Sequence, residues 1–106
     1  MEHEPTAPGE ITARREEGEV KRAIQRQQEI ADFTWLMKMP QFRRFVWRML
    51  EEAGVFRPTF RAGQPDLSAF LEGRRDHGLF VLREIHELTP EMYDVMVKEH
   101  KAHATR

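Results

Sequence analysis

The chain has 106 residues, with 17 basic and 18 acidic side chains, a net charge of −1 and no cysteine. That length suits one domain, and the missing cysteines exclude a disulfide framework and a thiolate metal site. The near-zero net charge speaks against a uniformly basic nucleic-acid binder. No apolar run is long enough to span a membrane and no signal-peptide core follows Met1, so no membrane partner is expected. The absence of cysteine fits a reducing, intracellular context.

Charge is unevenly spread. Residues 1–30 carry five Lys/Arg against seven Asp/Glu, residues 41–75 carry seven Arg against four acids, and residues 76–106 carry four basic against six acidic side chains. The middle uses only arginine, the better residue for forked, partly buried pairing with carboxylates. An all-arginine middle between acidic ends points to internal pairing more than to a phosphate-binding face.

In chain order, residues 1–10, MEHEPTAPGE, read as a flexible tail. Residues 11–30, ITARREEGEVKRAIQRQQEI, are rich in helix formers with few apolar positions. Opposite charges at helical spacing, such as Glu17 and Lys21, support such a helix, and Gly18 weakens it by ~1 kcal/mol relative to alanine. The segment reads either as a solvated, partly disordered helix or as a docking helix ordered by a partner. Asp32 either caps a new helix, DFTWLMKM, or lies within a continuing one. Phe33, Leu36 and Met37 form its apolar face, and Met39, preceding a proline, is biased toward extended backbone.

Pro40 suits the first position of a helix, where its missing N–H would have no partner anyway. Phe42, Phe45, Val46, Met49, Leu50 and Ala53 then recur at the spacing of one buried stripe, and Gly54 suits the stop. Trp47 lies outside that stripe. It is either a second layer of core or, with Arg44 and Arg48, an exposed anchor for a partner, since tryptophan and arginine are enriched in interface hot spots. The loop VFRPTFRAGQP follows, with Phe56 and Phe60 expected to pin it to the core.

Asp66 is a plausible cap for the next helix, about 67–88, with Leu67, Phe70, Leu71, Val81, Leu82, Ile85 and Leu88 on its stripe. Gly78 lies on that stripe, where a neighbouring helix can approach closely. Arg74 lies there too, and a charge so placed needs a partner. Glu51 and Glu52 are the expected partners, in a structural ion pair; otherwise Arg74 is an interface residue. Thr89-Pro90-Glu91 is a helix start with a threonine cap, and Met92, Val95, Met96 and Glu99 follow at helical spacing. No strand and no repeat is legible.

The pieces DFTWLM, P-Q-x-R-R-F-x-W-R-x-L-E-E-A-G-V-F, F-x-E-G-R-R-x-x-G-L and PEMYDVMVKE, in that order over 32–100, resemble a family of small tailed-phage proteins, the Bbp-nineteen-like phage domain. The family pattern has a glycine after the P-Q pair; this chain has Phe42 there. The resemblance implies a phage or prophage origin and a gene among the head-assembly genes, near portal, scaffold and capsid genes. It brings no catalytic or ligand-binding residues with it.

Enzyme chemistry lacks material. The single serine, Ser68, sits in the first turn of a helix, Glu51 and Glu52 point to different sides of theirs, and no glycine-rich phosphate loop is present. His100 and His103 have a helical ligand spacing without a third ligand nearby in sequence, so neither metal nor cofactor is expected. The expected fold is all-α, a three- to four-helix bundle over residues 31–106 behind a tail and polar helical arm over 1–30. The expected function is a non-enzymatic virion or assembly protein, in the virion and, during assembly, the host cytoplasm. Its expected partners are portal, capsid or internal-core proteins, or further copies of itself. The alternative is a small nucleic-acid-binding phage protein that uses the arginine-rich middle, where aromatic and basic residues interleave.

Overall fold

The computed structural model describes residues 8–104, which form four helices and no strand: α1 (Pro8–Met37), α2 (Pro40–Ala53), α3 (Pro65–Leu88) and α4 (Pro90–Ala104). Every helix opens on a proline, whose fixed φ and missing N–H fit a first turn. The expected tail falls mainly on residues 1–7, which lie outside the described residues; Pro8, Gly9 and Glu10 are already helical. The chain divides into two compact units, one ending at Phe33 and one beginning at Thr34.

In the first unit α1 carries no buried residue, and Ile11, Val20 and Ile24 are exposed. Glu17 and Lys21 do not pair; the ion pair found there is Arg26–Glu29 at 3.5 Å. Asp32 does not cap a new helix. Its Oδ1 accepts the Gln28 amide at 2.9 Å, one turn back, and α1 runs through it.

The second unit is a small all-α bundle. Its core is Met37, Val46, Leu50, Val55, Ile85 and Met96. The α1–α2 corner is closed by Lys38 N–H to Trp35 O at 3.2 Å and Met39 N–H to Leu36 O at 3.0 Å, with Met39 extended (φ −93°, ψ 124°) as the following proline requires. Gly54 ends α2 in the left-handed region at φ 75°.

The buried face of α2 differs from the apolar stripe. Arg43, Val46 and Leu50 are its buried residues, while Phe45 is 50% exposed. At 3.6 residues per turn this turns the buried centre by roughly 60° toward Trp47. Arg43 sits on that side with three polar contacts, to Met37 O and both Glu99 carboxylate oxygens.

Among these helices α2 and α3 pack most extensively, and α2 packs less on α4 than α3 does. Gly78 is buried where α3 meets the end of α2. A Cβ there would lie 2.5 Å from Ala53 Cβ and 2.6 Å from Val55 Cγ2, so only glycine permits this approach. On the near half of the expected α3 stripe Leu67 and Phe70 are exposed and Leu71 is half-buried. Asp66 lies inside the first turn of α3, behind an N-cap at Gln64, and is not the cap. Thr89 is buried, but its hydroxyl turns back to Ile85 O at 3.4 Å instead of capping α4.

Phe60 does not pin the 54–64 loop; it is 76% exposed. Polar contacts hold the loop instead. Thr59 Oγ1 donates to Glu72 Oε2 at 2.5 Å, and Arg61 N–H donates to Ser68 Oγ at 2.8 Å.

Candidate functional site

The ion pair that the bundle builds is not the expected one. Arg74 is exposed and its guanidinium lies 5.9 Å from the Phe70 ring centroid. Glu51 and Glu52 are also exposed, and neither pairs with it. The first half of α3 stays at the surface, so Arg74 keeps its hydration and needs no carboxylate. The buried arginine is Arg43, 8% exposed. Its Nε donates to Glu99 Oε1 at 2.7 Å, Nη2 to Glu99 Oε2 at 3.3 Å and Nη1 to Met37 O at 2.8 Å. One side chain therefore joins α2 to α4 and satisfies one of the terminal carbonyls of α1, which no helical N–H reaches.

The other arginines of the middle are dispersed. Arg57 donates to Glu51 O at 2.9 Å. Arg61 donates to Pro58 O at 3.1 Å and Phe60 O at 3.0 Å. Arg75 lies 3.8 Å from Glu72. Among the described residues no carboxylate pairs with Arg44 or Arg48, and Arg48 sits over the Phe45 ring at 5.6 Å. No single arginine face results.

Trp47 is half-buried. Its ring stacks on Phe56 at 5.3 Å and on His100 at 4.7 Å, with Tyr93 at 6.5 Å. This second layer exists because the buried face of α2 is turned toward Trp47. Its Nε1–H is buried with no acceptor. Trp47→Phe should therefore stay within about 1 kcal/mol of the native stability, because stacking is kept and an unsatisfied donor is removed. Trp47→Ala should lose about 2–4 kcal/mol, somewhat under the fully buried range because the ring is only half covered. Chemical denaturation compares them; equal losses would show that the N–H matters.

Arg44, Trp47 and Arg48 do come together, on one wall of a cleft of about 170 Å³ between α2 and α4. Met96, Glu99, His100 and His103 form the facing wall, and Glu51 closes one end. Both walls have the spacing i, i+3, i+4, i+7. The α4 residues of this cleft were not expected from the sequence. The one available signal was Glu99, an acid in line with Met92 and Met96. Among the described residues no three His, Cys, Asp or Glu side chains converge to hold a metal, and no helix is long and apolar enough to cross a membrane.

The family model described as Bbp19-like phage protein matches residues 33–98, more than half of the chain. Comparisons with curated proteins and with solved structures found no match.

Proposed function

Because the chain belongs to the Bbp19-like phage proteins, we propose that it is a non-enzymatic particle or assembly protein working through protein contacts at the head, portal or internal core. The observation that carries this reading is the balance of its bundle. From Thr34 on, six large apolar side chains are buried, while Trp35, Phe45, Phe56, Phe60, Leu67, Phe70 and Phe80 are exposed. These exposed rings are apolar surface available for contact with other proteins. The α2–α4 cleft offers Trp47 with Arg44 and Arg48, residue types that carry binding energy at interfaces.

The nucleic-acid alternative has less support, since most of the arginines it needs are engaged with Glu99, Glu72 or backbone carbonyls. Mass spectrometry of purified procapsids and mature virions tests the proposal. The chain is expected in at least one of the two; absence from both would reject it.

A further inference from the structure

We infer that the α2–α4 cleft seats an acidic amphipathic helix of a partner protein. The inference rests on the assembly reading above and names the chemistry of its partner. Three observations carry it.

The first is charge. Inside the cleft Arg43 and Glu99 neutralise each other. Arg44 and Arg48 remain, exposed, unpaired and one helical turn apart, against the single carboxylate of Glu51, so the cleft keeps a net positive charge. Side chains at i and i+4 are about 5–6 Å apart at Cβ, which matches two carboxylates one turn apart on a facing helix. The second is shape. The walls repeat the i, i+3, i+4, i+7 pattern, and α2 packs far less extensively on α4 than on α3. A third helix laid along their seam fills the ridges left open, the helix-in-groove mode of recognition. The third is size. A volume of about 170 Å³ is close to the roughly 150 Å³ that accommodates one benzene ring, so the partner's anchor is a single Phe- or Leu-sized side chain beside Trp47 and Met96.

A nucleic acid fits this cleft poorly. Two cations make a short track for a phosphate backbone, and the Trp47 ring is already stacked on Phe56 and His100, so it is no open platform for bases.

The test uses the full chain and a fluorescein-labelled, helix-forming synthetic peptide with a Leu/Phe stripe and Glu at i and i+4. Anisotropy is expected to show binding on the order of micromolar. R44E/R48E, which changes only exposed residues and should leave the helical circular dichroism unchanged, is expected to weaken binding at least about tenfold, a loss of about 1.4 kcal/mol. A peptide with Lys in place of Glu, a scrambled acidic peptide and a duplex oligonucleotide should not compete. No binding by the acidic peptide, unchanged binding by R44E/R48E, equal binding of the scrambled peptide, or displacement by DNA would each overturn the inference. Incorporation of R44E/R48E into particles separates the two proposals. Wild type and variant entering alike sinks the cleft inference and keeps the assembly role, whereas wild type absent from particles sinks the assembly role whatever the peptide does.

Discussion

Glu99→Ala is expected to destabilise the protein by about 3–5 kcal/mol, the cost of stranding one charge of a buried pair. The Arg43 side chain is 10% exposed and that of Glu99 is 32% exposed. Removing the acid leaves a guanidinium that water hardly reaches, with Met37 O as its remaining strong acceptor. Removing the arginine instead leaves a carboxylate that regains part of its hydration. Arg43→Met should therefore cost less, about 2–3 kcal/mol, mainly lost charged hydrogen bonds. The double replacement Arg43→Met/Glu99→Leu should be more stable than Glu99→Ala alone, since an apolar pair leaves no stranded charge. Urea denaturation of the three variants measures this. A loss under about 1 kcal/mol for Glu99→Ala would show that the pair is solvated and structurally idle.

One substitution at two positions of α3 should have opposite signs. Gly73 has open space where a Cβ would stand, and Gly78 has Ala53 and Val55 within 2.6 Å of that point. In a helix interior, Gly→Ala contributes about 0.5–1 kcal/mol through backbone entropy. Gly73→Ala should show that gain. Gly78→Ala receives the same gain but forces α2 and α3 apart along the most extensive interface of the bundle, an overpacking cost of about 1–3 kcal/mol and occasionally more. The net expectation is a loss of about 1–2 kcal/mol. For a small domain each kcal/mol moves the melting temperature by about 4–8 °C, so the two variants should melt on opposite sides of the wild type. A stabilised Gly78→Ala would mean that the α2–α3 contact relaxes freely.

These two sites also show where sequence reasoning succeeded and where it failed. Gly78 was legible because a glycine on an apolar stripe is a local anomaly with one common cause. The charge rule was sound but was applied to Arg74. That residue lies on the half of α3 that only the 54–64 loop touches, and its own side chain stays exposed, so its place on a stripe conferred no burial. The same rule applied to Glu99, in line with Met92 and Met96, marks the residue that is paired, yet its partner stands 56 positions away on α2. No local pattern links the two.

Local chemistry determined the all-α class, the start of α2 at Pro40, its stop at Gly54, the corner at Met39 and the start of α4 at Pro90. Each follows from constraints on one or two residues: a fixed φ, a missing N–H, a tolerated positive φ. The expected stripes correctly marked Val46, Leu50, Gly78, Ile85 and Met96 as inside, but only the tertiary structure decided where the buried face of α2 is centred and how much of the α3 stripe is covered. On α2 the core side holds Arg43, bonded to Met37 O and Glu99, while Phe45 stays half exposed. That rotation half-buries Trp47 and sets Arg44 and Arg48 along the cleft, at distances fixed by helix packing and not by spacing in the chain.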